Sequence, residues 1–426
     1  MNYAIINAKI LDGTKDMRIK EGYTILVSNH KIEKIVEGTI QLMNYETINL
    51  EGKYVMPGLI NLHVHLPSTG KPSKKEINHQ QLVSFVQKHA MTRAYLQAMC
   101  EKNCRMQLLS GVTTIRTMGG VDTYDSLIRD KIDRGEIVGP RLLVSNMAIS
   151  VPEGHMAGSL AYEAHNVEEV KTFVRQLASE NVDWIKLMIT GGVLDAKKRG
   201  EPGVLKMPGE YVKAACDLAH ELHLKVASHT ESSEGVKVAL ENGVDTIEHG
   251  ALFNHEHIAL FKKNMASLVA TISPALPFAL FDPQITHINE MTQYNGQLVF
   301  EGIIEGAKTC LKNNIPVGLG TDTGCPYITH YDMWREVYYF KKYCSVTNQF
   351  ALYTATLQNA KIAGIDTYTG SIEGGKDADL LVLNDNPLED LKALSQPYMV
   401  MSRGRLIKNP KVKKMKEVEK QLNKYL

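Results

Sequence analysis

Two histidines separated by one residue, His63 and His65, stand inside the apolar stretch GLINLHVHL. Side chains two apart on a β-strand point to the same face, so a strand here would present both imidazoles together. Imidazole nitrogen is a frequent donor to transition metals in proteins. The pair therefore offers two of the ligands that a metal site needs. An isolated pair of this kind is nevertheless more often structural.

A lysine stands in the middle of another apolar run, DWIKLMIT, where a buried strand is expected. Burial disfavours the ammonium form of Lys186 and favours a neutral amine. A neutral amine reacts with carbon dioxide, and the N-carboxylated lysine that results has two anionic oxygens able to bridge two divalent cations. The alternatives are a Schiff-base lysine and a lysine that snorkels to solvent.

Three more residues with metal-binding donors close apolar runs later in the chain. His229 closes LKVASHT, His249 closes GVDTIEHG, and Asp322 closes IPVGLGTD. Either histidine alone would more often be a hydrogen-bonded core residue. The interpretation as one site depends on the whole set occurring, in order, at the ends of separate runs.

Four other histidines are better explained without a metal. His255 and His257 follow Asn254, a good N-cap for the helix-like stretch IALFKK, and are predicted to lie on the surface. His220 and His223 fall at the end of the helical pattern GEYVKAACDLAHELHL and are predicted to be exposed.

The runs that carry these groups belong to a longer series that starts near Pro57. Its eight members are GLINLHVHL, GVTTIRTMG, PRLLVSNMAIS, DWIKLMIT, LKVASHT, GVDTIEHG, ASLVATISP and IPVGLGTD. Helix-like stretches separate them, and strands that alternate with helices are parallel. The series predicts an α/β fold with a (β/α)8 TIM-like barrel, whose functional groups lie at the C-terminal ends of the strands.

Short alternating segments, broken by Gly and Asn, lie before and after this series. We predict that residues 1–57 and 367–426 form one small β-sandwich domain and that residues 58–366 form the barrel. The tail KVKKMKEVEKQLNKYL is predicted to be a charge-rich terminal helix and a solvated surface element.

The composition restricts the class of partner. The chain has 426 residues, of which 44% are hydrophobic, and its 48 basic and 47 acidic side chains nearly cancel. No global field favours nucleic acid or an anionic membrane, so a small-molecule substrate is expected. Six cysteines without a disulfide-like spacing, and a start without a signal-peptide pattern, predict a cytoplasmic protein.

Together, these segments resemble the amidohydrolase superfamily, in its binuclear branch with a lysine on the fourth strand. The resemblance covers nearly the whole chain and is carried, in order, by VMPGLINLHVHL, GVTTIRTMGG, WIKLMITGG, VASHTESSEGVKVALENGVDTIEHG, LGTDTG and GSIEGGKDADLLVLNDNP. Within the superfamily the chain is most similar to metal-dependent dipeptidases and carboxypeptidases that act on Xaa-Pro or Xaa-Arg(Lys) substrates. Imidazolonepropionase and phenylurea hydrolases are more distant.

The resemblance implies a centre of two divalent ions. His63, His65 and Asp322 would hold the more buried ion, His229 and His249 the more exposed one, and carboxylated Lys186 would bridge both. A hydroxide shared by the ions would be the nucleophile, while Asp322 would take its proton and deliver it to the leaving amine. Zinc suits the donors best, and manganese or cobalt also fit. Relatives are often homo-oligomers, and an oligomer is expected here.

One stretch, His229-Thr230-Glu231-Ser232, departs from the patterns of the family. Single-metal deaminases of the superfamily carry His-x-x-Glu after the fifth strand, whereas Glu231 comes one position earlier and would face the alternate side if the strand continued. In the peptidase-like relatives a second histidine is common at this position. Deamination is therefore a minor alternative.

Three residues are candidates for binding the substrate. His155, in VPEGHMAG, resembles the Gly-His loop of the relatives and would bind a substrate carbonyl or carboxylate, or else fix its loop. Arg116, at the end of GVTTIRTMGG, is either a carboxylate clamp or part of a structural ion pair. Arg199, in DAKKRGEPG, would favour an anionic C-terminal group if it folds inward, although most such runs are solvated.

These observations predict a metal-dependent amidohydrolase that cleaves the amide bond of a dipeptide or an N-acyl amino acid. A hydrolase of a cyclic amide, urea or carbamate is the first alternative. A catalytically silent oligomeric scaffold of the same fold is the second.

Overall fold

The computed structural model describes residues 2–40, 42–72 and 78–426, so residues 1, 41 and 73–77 of the predicted domains lie outside the described part of the chain. The strands are β1 Asn2–Ile6, β2 Lys9–Leu11, β3 Ile19–Lys20, β4 Tyr23–Ser28, β5 Lys31–Glu37, β6 Glu46–Asn49, β7 Tyr54–Pro57, β8 Leu59–Val64, β9 Val112–Thr117, β10 Arg141–Leu143, β11 Ala148–Ser150, β12 Ala161–Glu163, β13 Trp184–Met188, β14 Lys225–Thr230, β15 Thr246–His249, β16 Ser267–Ala270, β17 Val317–Leu319, β18 Leu380–Leu383, β19 Met399–Ser402 and β20 Arg405–Lys408.

The α-helices are α1 His79–Lys88, α2 Ala90–Leu109, α3 Tyr124–Asp133, α4 Val167–Ser179, α5 Gly209–Glu221, α6 Ser233–Glu241, α7 His255–Asn264, α8 Ile272–Leu280, α9 Pro283–Thr286, α10 Glu290–Lys312, α11 Met333–Cys344, α12 Asn348–Tyr353, α13 Asn359–Ala363 and α14 Lys416–Leu422. Short 3-10 helices cover Val193–Asp195, Leu391–Ser395 and Asn423–Tyr425, and a π-helical turn covers Thr354–Gln358. No helix in the described ranges is long and apolar enough to cross a membrane.

Parallel strands form the centre of the molecule. They lie in the orders β12-β11-β13-β14-β15-β16-β17 and β10-β9-β8, and each of the eight predicted apolar runs contains a strand. The third run contains two, β10 and β11. The segment after β17 also bonds to β8, because Asp322 N–H donates to the carbonyl of His63 and His65 N–H donates to that of Thr323, both at 2.9 Å. This α/β arrangement is consistent with the predicted TIM-like barrel.

Both ends of the chain contribute to the remaining sheets. Strands from the two ends alternate in the order β20-β19-β18-β7-β2-β3, and a second sheet has the order β5-β4-β1-β6. One apolar cluster contains side chains from both sheets, among them Ile5, Val27, Val55, Leu380 and Met401. The alternating residues of the terminal segments are therefore buried between these two sheets.

Helix α5 buries one face, through apolar residues that recur at helical spacing. In α5, the buried residues Val212, Ala215 and Ala219 recur three and four apart, as the sequence predicts, while Leu222 lies beyond the helix end and is exposed. His220 and His223 are exposed, which confirms that prediction.

The N-cap prediction at α7 is confirmed, but one of its histidines is not on the surface. Asn254 accepts hydrogen bonds from the N–H groups of Glu256 and His257. His255 is exposed, whereas His257 is buried and places Nε2 2.8 Å from the carbonyl oxygen of Ser233. The surface prediction was wrong for His257 because its ring packs back onto the preceding helix.

The terminal helix α14 also corrects the sequence interpretation. Its Val418 and Leu422, four residues apart, are buried, and Arg335 of α11 donates hydrogen bonds to Glu419 at 3.0 Å and to Asn423 at 2.6 Å. The tail is therefore packed against the helical layer and is not a solvated element. Two apolar positions among many charges were too few to show this in the sequence.

A buried arginine joins the parallel strands to the terminal sheets. Arg141 of β10 donates to Asp379 at 2.8 Å and to Asp377 at 2.5 Å, and its guanidinium lies 5.1 Å from the ring centroid of Tyr368. Asp379 also accepts hydrogen bonds from Thr369 and from the N–H of Arg403. This cluster links the two parts of the fold through charge-assisted hydrogen bonds.

We predict that Arg141→Ala destabilises the protein by about 3 to 5 kcal/mol, because the substitution leaves the buried Asp379 carboxylate without its guanidinium partner and leaves Asp377 with the longer contact to Lys31 at 3.9 Å. The measurement is the midpoint of urea unfolding followed by circular dichroism. Arg134→Ala is the matched control, since the Arg134–Glu136 pair is exposed and should not move the midpoint. Equal midpoints for wild type and Arg141→Ala would contradict the assigned role.

Candidate active site

The predicted metal ligands come together at the C-terminal ends of the parallel strands. Lys186 is the third residue of β13, all five residues of which are buried. Its side chain is 1% exposed, and no hydrogen-bond partner for Nζ lies within the described residues. Burial lowers the pKa of Lys186 to about 8, and Glu248 and Asp322 only partly oppose this effect. The amine therefore lies inside the protein and does not snorkel to solvent.

Asp322, in the segment after β17, lies close to His63 at the end of β8 and to His65 just beyond it. Its Oδ1 is 3.0 Å from Nε2 of His65 and 3.5 Å from Nε2 of His63. Burial raises the pKa of Asp322, but the imidazoles of His63, His65 and His249 together outweigh burial and hold that pKa well below its usual value. An ionised carboxylate and two imidazole nitrogens thus converge from β8 and the end of β17.

Two further imidazoles complete the group. The ring centroid of His249 lies 5.0 Å from that of His63 and 4.6 Å from that of His229. Burial lowers the pKa of His63 to about 4 and those of His229 and His249 well below the usual value. All three rings are therefore neutral near pH 7, so each has a nitrogen lone pair for a cation.

Unusual backbone conformations aim two of these ligands. His249 has φ 68° and Asp322 has φ 53°, both in the left-handed region that residues other than glycine seldom adopt. In an extended strand His249 would point away from the face used by Glu248. The left-handed turn at its end brings both side chains toward the same interior, which is a form of strain often found at functional sites.

Glu248 is a site residue that sequence reasoning missed. It is fully buried, and its carboxylate is 2.7 Å from His63 Nδ1 and accepts a 2.7 Å hydrogen bond from Arg116. Burial raises the pKa of Glu248, but Arg116, His63 and Lys186 together outweigh burial and lower it. Glu248 thereby orients His63 and leaves its Nε2 facing Asp322. Its position next to His249 in IEHG was the available signal, although neighbouring residues of a regular strand face opposite sides.

Arg116 takes the structural role that the sequence left open as its alternative. The guanidinium is fully buried, donates to the carbonyl of Leu62 at 2.8 Å and lies 4.5 Å from the ring centroid of Trp184. Glu248 and Thr246 are its other partners, so the guanidinium belongs to a buried ion pair.

We predict that Arg116→Met lowers stability by about 3 to 5 kcal/mol, because Glu248 then becomes an unpaired buried carboxylate. Removing the second charge in the double variant Arg116→Met/Glu248→Gln should recover part of the loss. Urea midpoints of the three proteins measure both effects. Additive losses in the double variant would show that the two residues do not act as a pair.

His155 lies beside the predicted ligands. Its ring stacks on that of His229, with centroids 4.2 Å apart and an interplanar angle of 8°, and its Nδ1 is 2.5 Å from a carboxylate oxygen of Asp195. Asp195 also accepts a 2.8 Å hydrogen bond from the N–H of Gly192. Two loops, one after β11 and one after β13, are thus tied together next to His229.

Arg199 is on the exposed side of the loop after β13. Its guanidinium lies 4.2 Å from the ring centroid of Tyr294 in α10. Asn295 fastens this loop by accepting from the N–H of Gly200 at 2.7 Å and donating to the carbonyl of Lys198 at 2.9 Å. Arg199 therefore does not fold inward in this structure, and its guanidinium stacks on Tyr294.

Glu231 points into the group of ligands and not to the alternate side. β14 ends at Thr230, so strand alternation does not extend to the next residue. A Glu231 carboxylate oxygen and nitrogens of His229 and His249 lie within 4.8 Å of one another. Burial raises the pKa of Glu231 to about 8, with Asp322 and Asp195 adding to the effect.

Residues outside the ligand set hold or border it. His249 Nδ1 is 2.7 Å from Thr271 Oγ1, and the residues that follow Thr271 donate their N–H groups to the buried Glu336 at 2.8 Å. Cys325 donates from Sγ to Asp322 Oδ2 at 3.5 Å. None of these three stood out in the sequence, since a lone Thr, Glu or Cys carries no spacing signal.

The donor set fits divalent metal ions. Neutral imidazoles and an ionised carboxylate surround a buried amine that lacks a hydrogen-bond partner among the described residues, and His63, His249 and Asp322 offer atoms within 4.8 Å of one another. Imidazole and carboxylate donors suit zinc and its neighbours in the first transition series.

Comparison with known proteins identifies the class. The model of the Amidohydrolase family matches residues 54–407, so the chain belongs to the amidohydrolase family, which confirms the predicted resemblance. It is an enzyme that hydrolyses C–N bonds. The family match therefore speaks against the second alternative, a catalytically silent scaffold.

Solved structures with this fold include peptidases. A Bifidobacterium longum protein described as a candidate prolidase is 36% identical, with 99% of this chain and 98% of that chain covered and a TM-score of 0.88. A Xaa-Pro dipeptidase with bound methionine in its active site is 27% identical, with 96% and 100% covered and a TM-score of 0.83. Ochratoxinase of Aspergillus niger is 24% identical over 384 residues, which cover 84% of this chain and 76% of that protein.

Proposed function

We propose that this protein is a binuclear metal-dependent amidohydrolase that cleaves the amide bond of a dipeptide or an N-acyl amino acid. The observation that carries the proposal is the buried amine of Lys186, without a hydrogen-bond partner in the described chain, surrounded by imidazoles and Asp322. An amine in such a place is stable once it has been converted into an anionic ligand.

Lys186 is proposed to be carboxylated. Its neutral nitrogen bonds to the carbon of carbon dioxide and releases one proton, which leaves an N-carboxylate with two oxygens. His63, His65 and Asp322 would hold one divalent ion, His229 and His249 the other, and the carboxylate of Lys186 would bridge them. Zinc is the ion that these donors favour. When bound, two such ions lower the pKa of water and polarise the scissile carbonyl.

The protein groups have separate tasks in the reaction. Asp322, held ionised by its neighbours, takes a proton and later delivers it to the leaving amine. Glu248 keeps the His63 ring oriented through its Nδ1. His155, stacked on His229, is proposed to contact the substrate carbonyl or carboxylate. Arg199 would reach an anionic C-terminal group only by leaving Tyr294, which makes it the weaker candidate.

The peptidase assignment rests on the relatives as well as the site. The match to the Xaa-Pro dipeptidase, at 27% identity, covers nearly all of both chains. A free or blocked dipeptide is therefore the first substrate class to test. We also propose that the parallel strands close as a (β/α)8 barrel over residues 58–366, with residues 1–57 and 367–426 forming a β-sandwich. The cytoplasmic location and the homo-oligomeric state remain predictions.

Removing the metal tests the proposal directly. Protein stripped with a chelator should lose amide hydrolysis and regain it with added Zn²⁺, and the purified enzyme should contain about two divalent ions per chain. Lys186→Ala should bind less metal and lose the carbon signal that wild type shows by NMR after exposure to 13C-bicarbonate. Lys213→Ala, an exposed control, should behave as wild type. Unchanged turnover in metal-free protein would refute the proposal.

A substrate screen tests the peptidase assignment. A library of dipeptides and N-acyl amino acids, followed by mass spectrometry, should show release of a free amino acid by the metal-loaded enzyme. Lactams, ureas and carbamates belong in the same screen. If only lactams, ureas or carbamates are cleaved, the cyclic amide, urea or carbamate alternative is favoured. That result would not contradict the proposed metal centre.

A further inference from the structure

Glu231 is a partly buried acid that the proposed chemistry does not use. One of its carboxylate oxygens, a nitrogen of His229 and a nitrogen of His249 all lie within 4.8 Å of one another. Its Oε2 is inaccessible to solvent and has no hydrogen-bond partner in the ranges that the structure describes. An unpaired buried carboxylate is costly, so its place in the fold calls for a partner.

The backbone holds Glu231 in this position from two sides. Its N–H donates a 3.0 Å hydrogen bond to Oγ1 of Thr190, which lies just beyond β13. The loop after β13 also presses on it, because a Cβ at Gly203 would lie 2.5 Å from the carbonyl carbon and oxygen of Glu231. The side chain is therefore not free to leave the pocket by a shift of the main chain.

The geometry favours a metal ion as the missing partner. Donors bind zinc at about 2.0 to 2.2 Å, so two donors on one ion lie at most about 4.4 Å apart. The three groups around His229 are already close to that limit without an ion. Two imidazoles and one carboxylate are the donors of many transition-metal sites. A substrate ammonium group, in contrast, would use the carboxylate but not the imidazole lone pairs.

We propose that Glu231 is a direct protein ligand of the metal ion held by His229 and His249, in addition to the carboxylate of Lys186. The inference rests on the proposed function, since it concerns the same centre. A second anionic ligand increases the affinity of this position for a divalent ion and reduces the number of coordination positions open to substrate. It also removes the cost of burying the Glu231 carboxylate.

Cobalt binding tests this assignment without relying on activity. Metal-free wild type and Glu231→Gln are titrated with Co²⁺, with affinities measured against a chromophoric chelator and the ligand field followed by visible absorption. Losing the carboxylate should weaken one of the two ions by roughly 100-fold, the upper end of what outer-shell losses cost, and should change its spectrum. Glu234→Gln is the matched control, because Glu234 is an exposed residue of the first turn of α6.

Further variants make the outcomes distinct. Glu231→Asp retains the charge but withdraws the carboxylate by one methylene. Its affinity for Co²⁺ should therefore fall between those of wild type and Glu231→Gln. Urea midpoints check that all variants fold. If Glu231→Gln binds both ions with wild-type affinity and spectrum while His249→Asn loses one ion, the assignment is overturned and the metal centre stands.

Two other results also decide the matter. Wild type that binds no divalent ion would overturn both this inference and the proposed function. Unchanged metal binding in Glu231→Gln, with KM raised only for substrates that carry a free amino group, would show Glu231 to be an ammonium site and would also overturn the inference.

Discussion

Placing the amine of Lys186 inside the protein is the constraint from which the rest of the site follows. A buried ammonium needs counter-charge and hydrogen-bond acceptors, and Nζ has no such acceptor among the described residues. Glu248, a fully buried carboxylate that acts on Lys186 electrostatically, is already engaged by Arg116 and His63. Burial therefore shifts Lys186 toward the neutral form, the only form that reacts with carbon dioxide. The pocket suits a modified lysine better than an unmodified one.

The ligands are held from outside by three independent contacts. Glu248 fixes His63, Thr271 fixes His249, and His155 packs against His229. Each contact comes from a different element, so the imidazoles keep their places without a cation between them. Preorganisation of this kind reduces the reorganisation that metal binding requires, and such partners affect metal affinity nearly as much as the ligands do.

The sequence was most informative where a feature repeats or occurs at a strand end. Eight apolar runs predicted the parallel strands, and the family resemblance predicted the class of enzyme, which the family match confirms. The ligand roles of His63, His65, Lys186, His229, His249 and Asp322 stay predictions, although the structure brings these residues together. Contacts between distant segments were not visible in the sequence. Arg116 and Glu248 are more than a hundred positions apart in the sequence, and Arg335 and Glu419 more than eighty. Only the fold brings each pair together.

The error in the facing of Glu231 has a clear physical cause. Alternation along a strand predicts which side of the sheet a side chain faces only while the backbone remains extended. The functional residues lie where the strand ends and the backbone is no longer extended. His249 adopts a left-handed conformation at the end of β15, and Glu231 follows the last residue of β14. Both side chains reach the pocket because of these terminal turns, and a period-of-two pattern assigns Glu231 to the wrong face. Strand ends in parallel sheets are where active sites form, so the pattern fails at the positions that matter most for function.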